Sequence, residues 1–262
     1  RDVLGSRGLG DVYKRQVLIM SKTAIIIPSR YASTRLHAKP LIEVEGKPII
    51  QWVYEKASAV KQADEVIVAT DHEEIYNCVK SFGGTVEMTR ADHKCGSDRI
   101  AEVASRHPEM EYIVNLQGDE PMITPESIDS VITALKTGEN ADIATLLRII
   151  EDKDEVENPN LVKCVIDNNN FALYFSRSKI PYERNFDEAV FYGHIGLYGY
   201  KREALFKMTS LPQTMLEKTE SLEQLRALQS GMRIITSVVN FKPIGIDTKE
   251  AVSYTHLTLP TT

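Results

Sequence analysis

Ile25-Ile26-Ile27-Pro28-Ser29-Arg30-Tyr31-Ala32-Ser33-Thr34-Arg35-Leu36-His37-Ala38-Lys39-Pro40-Leu41 runs from an apolar strand signal into a loop carrying three cations, Arg30, Arg35 and Lys39, with small hydroxyl residues between them. The apolar run suits a buried strand, and a loop at the carboxyl end of such a strand lies where open α/β sheets bind ligands. Three fixed positive charges on one loop repel each other unless an anion sits among them. The segment therefore reads as a loop that holds a triphosphate. A solvated surface loop with scattered charge is the alternative for the segment taken alone, and the surrounding pattern has to decide.

That pattern alternates strand and helix. Thr23 to Pro28 is the first strand, and Pro48 to Val60 has helical periodicity with Ile49, Trp52, Val53 and Lys56 on one side. Glu65 to Ala69 reads as a second strand, and Asp71 with Glu74 as a capping pattern for a helix to Phe82. After the Gly83-Gly84 turn come a strand (Thr85 to Thr89), a helix (Ser97 to Arg106) and a strand (Tyr112 to Leu116). Thr124-Pro125 is a cap and first-turn pair for a helix to Lys136. Such alternation predicts a mostly parallel α/β sheet wound by helices on both faces.

The pattern then changes. Asp142 to Ile150 is a strand, Leu161 to Ile166 and Phe171 to Ser176 flank the hairpin signal Asp167-Asn-Asn-Asn170, and Phe191 to Tyr200 is extended. The expectation is one domain over residues 20–250 with an inserted β-rich arm at about 150–200, of a kind that commonly pairs subunits. Residues 1–19 are Gly-rich and periodless ahead of Met20, and 251–262 do not continue what precedes them; both read as non-native adaptor sequence. Val17-Leu18-Ile19-Met20 is too short for the apolar core of a signal peptide.

The net charge of −6 divides into +2 on the leading segment and −8 on the remainder. An acidic chain without a basic run argues against nucleic-acid binding, and no apolar stretch approaches a membrane span. Cys78, Cys95 and Cys164 have no metal-ligand spacing and are odd in number, which fits a reducing cytoplasm.

Asn115-Leu116-Gln117-Gly118-Asp119-Glu120-Pro121 sits where the fourth strand runs out. Gly118 permits close backbone approach, and Asp119 can then face the crevice, well placed for Mg2+, which takes one or two carboxylates beside phosphate oxygens and water. A solvated turn is the plainer alternative. Asp247, in Gly245-Ile246-Asp247-Thr248, is a second candidate ligand or a helix N-cap.

These segments occur together with Val68-Ala69-Thr70-Asp71-His72, Met88-Thr89-Arg90-Ala91-Asp92-His93, Tyr174-Phe175-Ser176-Arg177, His194-Ile195-Gly196-Leu197-Tyr198-Gly199-Tyr200 and Leu222-Glu223-Gln224-Leu225-Arg226. In this order, from Lys22 to Glu250, they resemble the 3-deoxy-manno-octulosonate cytidylyltransferases, the CMP-Kdo synthetase family. The resemblance implies a nucleotide-diphospho-sugar transferase-like fold, Mg2+ as cofactor and a cytoplasmic homodimer. It also implies transfer of CMP from CTP to the acidic sugar Kdo, releasing pyrophosphate, for lipopolysaccharide synthesis. Another acidic sugar (a sialic acid or 8-amino-Kdo) and a non-catalytic nucleotide-binding module are the alternatives.

By resemblance, Arg30, Lys39 and Asp119 are catalytic; Arg30, Ser33, Arg35, Lys39, Arg90 and Ser97 bind the nucleotide. Gln117, Arg177, His194, Tyr198, Glu223 and Gln224 line the sugar pocket, and Asp119 and Asp247 carry the metal. Read singly, His194 is also a satisfied strand histidine, Tyr198 a core aromatic and Glu223 an exposed helix face. The family usually has Pro-Gly where this chain has His37-Ala38, Ser at Cys95 and Thr at Ser97. It also has a helix after Asp247-Thr248, where this chain changes character at Lys249-Glu250. A loosened Asp247 and lower stability are expected from that departure.

Overall fold

The Ile25–Ile27 run forms the middle of strand β1 (Lys22–Ser29) in a computed structural model that describes residues 21–32, 38–185 and 189–241. Two parallel neighbours flank it, β4 (Glu65–Thr70) and β6 (Met110–Asn115), with Ile25 opposite Val66 and Val114. A strand paired on both edges and covered on both faces has to be apolar at nearly every position. Ile25 and Ile27 pack into one core with helices α1 (Ile49–Ser58), α2 (Glu73–Ser81) and α4 (Pro125–Thr137). Ala24 and Ile26 face a second core with α3 (Gly96–Arg106) and α6 (Arg202–Ser210). Each buried isoleucine is worth about 2–3 kcal/mol relative to exposure.

Short strands β2 (Glu43–Val44) and β3 (Lys47–Pro48) form a separate ribbon. The central order is β11 (Ile234–Val238), β7 (Ile143–Ile149), β10 (Tyr192–Lys201), β6, β1, β4, β5 (Val86–Met88). Along this path β10 alone runs against its neighbours, β6 and β7. The chain steps from β1 through β4 to β5, then returns to lay β6 on the other side of β1. That reversal opens a crevice beyond the carboxyl ends of β1 and β6, the switch point where ligands bind in open α/β sheets.

Within residues 150–200, the hairpin of β8 (Lys163–Ile166) and β9 (Ala172–Ser176) closes at Asp167, whose Oδ1 accepts from Asn169 and Phe171 N–H, both at 2.8 Å. β8 attaches through Tyr192 and Gly193 to β10, which belongs to the central sheet. A short helix, α5 (Lys153–Glu157), precedes the hairpin. Lys163 is fully buried, and its ammonium donates to the carbonyls of Asn158 (2.9 Å), Leu161 (2.7 Å) and Arg177 (2.5 Å). All three of its donors are used, which makes the burial tolerable.

Thr124 caps α4 as expected, its hydroxyl accepting from Ser127 N–H at 3.2 Å. Asp71 does not cap α2. His72 does, accepting from Glu74 N–H at 3.3 Å, while Asp71 takes the guanidinium of Arg99 at 2.8 Å. Arg99 has no exposed surface, and a buried cation demands a carboxylate more strongly than a helix end does. Among the described residues no helix is long and apolar enough to cross a membrane.

Candidate active site

One side of the crevice is built on close backbone approach. A Cβ at Gly118 would lie 2.8 Å from Ser29 Oγ and 3.3 Å from the Pro28 carbonyl oxygen, so the Gln117–Asp119 turn rests directly on the end of β1. Ser29 Oγ faces this turn, buried and without a hydrogen-bond partner among the described residues. Asp119 then meets Lys39, with Nζ to Oδ2 at 2.7 Å. Lys39 is held in a 3-10 turn (Lys39–Leu41) entered through Ala38 in the left-handed conformation, φ 50°. The lysine side chain is 10% exposed and the carboxylate 39%, so Asp119 stays open to the crevice on one side.

Arg30 continues from β1, exposed, and donates to the Lys94 carbonyl at 2.9 Å. That bond ties it to the loop entering α3. Gly96 at the start of α3 packs on Pro28, where a Cβ would sit 3.3 Å from Cγ. The amino end of an 11-residue helix, with its partial positive charge, therefore borders the crevice. Arg90 lies on the rim of the adjoining groove with Lys94 and Cys95, exposed, its Nε on Asp92 at 3.0 Å. Ser33, Arg35 and Asp247 lie outside the described residues.

The other side is more deeply packed. Gln117, Asn115, Ser97, Tyr198, Tyr200, Glu223 and Gln224 surround an enclosed cavity of about 60 Å³. Glu223 and Gln224 arrive at the start of α8 (Gln224–Gln229), after α7 (Met215–Glu220). Ser97 donates its hydroxyl to the Glu223 carboxylate, and Cys95 Sγ lies 2.9 Å from Ser97 Oγ and 3.4 Å from Glu223 Oε1. Burial, reinforced by the Glu223 charge, pushes the Cys95 thiol up to about 11. Burial and then nearby charge, Glu223 included, hold the Tyr198 and Tyr200 phenols well above their ordinary value, so both remain donors. Gln117 reaches Asn115 Oδ1 at 3.4 Å, and Gln224 Nε2 is buried with no partner among the described residues.

His194 adjoins this cluster through Tyr198, ring centroids 5.4 Å apart, with Phe175 edge-on at 5.1 Å. Burial pushes its pKa down to about 3, so the imidazole is neutral. Arg177 does not reach the 60 Å³ cavity. Its guanidinium spans the carbonyls of Glu220 (2.7 Å), Pro159 (3.1 Å) and Ser221 (3.5 Å), bracing the turn that presents Glu223 and Gln224.

The sequence reading passed over Asn115, Tyr200 and Thr145. Tyr200 was recoverable, since it follows Tyr198 by two on one strand and so shares its face. Asn115 is a polar residue ending an apolar strand. Thr145 carries no signal, because its importance comes from what lies across the sheet.

A half-open carboxylate with a cation on one oxygen, beside a buried hydroxyl lacking a partner, is a hard-oxygen donor set. It fits Mg2+, which completes its shell with phosphate oxygens and water.

Residues 24–234 match the family model described as cytidylyltransferase. The 3-deoxy-manno-octulosonate cytidylyltransferase of Fusobacterium nucleatum is 47% identical over 225 residues, 86% of this chain and 91% of that protein. The one from Escherichia coli is 44% identical over 229 residues, 87% of this chain and 92% of that protein. A solved structure of CMP:2-keto-3-deoxy-manno-octonic acid synthetase complexed with CTP superposes with a TM-score of 0.87 at 42% identity, covering 90% of this chain and 98% of the other. The 4-diphosphocytidyl-2C-methyl-D-erythritol synthase of Anaerococcus prevotii, at 16% identity and a TM-score of 0.61, shares the fold alone.

Proposed function

The chain belongs to the cytidylyltransferase family, among the 3-deoxy-manno-octulosonate cytidylyltransferases, and from that premise we propose how its residues carry the reaction. The enzyme transfers CMP from CTP to Kdo, giving CMP-Kdo and pyrophosphate, in the pathway to lipopolysaccharide. The sugar's anomeric hydroxyl attacks the α-phosphorus, the bond to the bridging oxygen breaks, and negative charge gathers on the leaving pyrophosphate. Groups already aimed at that charge supply the catalysis.

The observation that carries the assignment of roles is the Lys39–Asp119 pair, 2.7 Å apart at the switch-point crevice. Lys39 and Arg30 neutralise the triphosphate, with Arg90 and the amino end of α3 beside the nucleotide. Ser97 acts at one remove, by holding Glu223. Ser33 and Arg35 bind the triphosphate on the family resemblance alone. Asp119, with Asp247, would hold Mg2+, which when bound adds positive charge at the phosphate oxygens. Gln117, Tyr198, Glu223, Gln224 and His194 take the sugar's hydroxyls and carboxylate, and Arg177 fixes the turn that carries two of them. The cavity of about 60 Å³ adjoins, through Glu223, a larger groove that also holds Arg90, Lys94 and Cys95, which gives the sugar room beside it.

The test is Asp119→Asn. It should keep CTP binding and lose turnover by orders of magnitude; wild-type turnover would remove Asp119 from the reaction.

We also place the enzyme in the cytoplasm, as a homodimer. Three unpaired thiols suit a reducing compartment. Leu173 (60% exposed), Ile149 and Tyr182 leave apolar surface on the hairpin side for a second copy. Leu173→Asp should yield a monomer by light scattering; a monomeric parent chain would refute the dimer.

A further inference from the structure

We infer that Thr145 is a positioning residue that fixes the tautomer of His194, so that the neutral imidazole presents a bare Nδ1 acceptor to a hydroxyl of the sugar. The inference rests on the reading of His194 as a sugar-pocket residue.

Strand β10 is irregular where it pairs with β7. His194 pairs with Leu147 and Ile195 with Leu146, but the next pair is Tyr198 with Thr145. Two residues, Gly196 and Leu197, are therefore extra on β10. A bulge leaves main-chain groups outside the ladder, and buried carbonyls need partners. The Thr145 hydroxyl supplies one. Its Oγ1 is 2.8 Å from the Leu197 carbonyl and 3.2 Å from the Ile195 carbonyl. The same oxygen lies 3.0 Å from His194 Nε2, and Thr145 has no exposed surface.

The protons can be assigned by counting. A hydroxyl has one hydrogen, and a carbonyl only accepts. The hydrogen of Thr145 goes to the bulge carbonyls, the nearer being that of Leu197. It is then not available to the imidazole, so the hydrogen between Oγ1 and Nε2 belongs to the histidine. His194 donates from Nε2. A neutral imidazole protonated at Nε2 carries a lone pair at Nδ1, so the ring's remaining polar atom is an acceptor. The rings of Phe175 and Tyr198 pack on the imidazole, and Tyr198 itself lines the cavity. A sugar hydroxyl arriving there meets an acceptor whose orientation was set before binding, which lowers the ordering cost.

A threonine that merely caps a bulge would matter for stability alone. Three measurements separate the roles. The first is the two-bond proton–nitrogen correlation spectrum of the free full-length chain, with His194 identified through His194→Asn. The inference requires the Nε2–H form, and an Nδ1–H form overturns it with no threonine variant needed. The second is the same spectrum for Thr145→Ser and Thr145→Val. Serine should keep the wild-type tautomer, and valine should give a mixture or the Nδ1–H form; an unchanged spectrum in valine overturns the inference.

The third measurement is kinetic. In Thr145→Val the KM for Kdo should rise by about ten-fold, the lower end of what outer-shell partners of a histidine contribute. The KM for CTP should stay within about two-fold, and Thr145→Ser should keep the wild-type KM for Kdo. A tautomer change with no rise in KM for Kdo would show that His194 does not contact the sugar. That outcome defeats the sugar-pocket reading and the acceptor role built on it, and is distinguishable from a wrong tautomer.

Discussion

On the side of the crevice proposed for the phosphates most charged groups face water, and Lys39, with a side chain 10% exposed, is the exception. Arg30 and Arg90 are exposed, and the Asp119 side chain is 39% exposed beside Lys39. On the sugar side the polar groups are packed in: Ser97 and Gln224 are buried, Tyr200 is 2% exposed, and the cavity they surround is enclosed. On the proposed roles the difference follows from the two ligands. A triphosphate brings its own charge and counter-ion, so exposed cations such as Arg30 and Arg90 attract it from a distance. A polyol has no such charge on its hydroxyls. It is recognised by directed hydrogen bonds, which discriminate well only where water is excluded and an unmade bond is expensive.

The largest test of this contrast is on the charged side. Lys39→Ala should lower kcat by about 10²–10³-fold, the scale for removing one preorganised group at developing charge. Stability should fall by less than the rate does, because the Asp119 carboxylate left behind is 39% exposed and can be solvated. A large melting shift with modest loss of rate would make Lys39 structural.

The buried side should respond in the other kinetic constant. On the proposed role, Tyr198→Phe leaves a sugar hydroxyl short of a partner, at about 1–3 kcal/mol. The KM for Kdo should therefore rise by about 5- to 150-fold, with KM for CTP unchanged. A shift confined to CTP would erase the division into halves.

A smaller effect tests the loop itself. Ala38 occupies the left-handed region where only glycine is unstrained. Ala38→Gly should stabilise by about 1 kcal/mol, raising Tm by roughly 2–4 °C. A lower Tm would mean that glycine's added freedom outweighs the strain.

The smallest effect lies at the opposite end of the sheet and sharpens the contrast between two histidines. Burial lowers the pKa of His107, but bonds from Glu87 (2.5 Å) and Glu109 (3.3 Å) outweigh it, and the net is a raised value. Its contribution is fully present below the unfolded value of about 6.5 and is lost as pH rises through the folded one. His194 is the reverse. With a folded value of about 3, the unfolded chain binds a proton between about 6.5 and 3 that the native chain refuses, so stability falls with pH across that window. The Tm advantage of wild type over His107→Gln should shrink from pH 6 to 9. In His194→Asn the acid-side decline should flatten. Parallel pH profiles would contradict both.

The fold was legible because a buried parallel strand must be apolar throughout, and Ile25–Ile27, Val66–Ala69 and Ile113–Val114 are short apolar runs at the centres of three such strands. The phosphate side was legible for a related reason: its groups are local in sequence, on the loop after β1 and the turn after β6. The sugar side draws on β6, β7, α3, β10 and the α7–α8 turn. No periodicity announces that Ser97 will meet Glu223, or Thr145 His194, since those pairs are created by sheet order. Arg177 illustrates the limit. Its chemistry suited a sugar carboxylate, but its guanidinium went to main-chain carbonyls of the α7–α8 turn. Asp71 shows the same limit locally, where a cap signal lost to a buried arginine 28 residues away.

The central claim is that an acidic sugar, Kdo, drives CMP transfer at this crevice. It is tested most directly by pyrophosphate release from the full chain with CTP and Mg2+, in parallel with Kdo, with a sialic acid, with 8-amino-Kdo and with no sugar. The account predicts release that requires Kdo, matched mole for mole by CMP-Kdo. Release without any sugar, or faster release with one of the other acids, would contradict it.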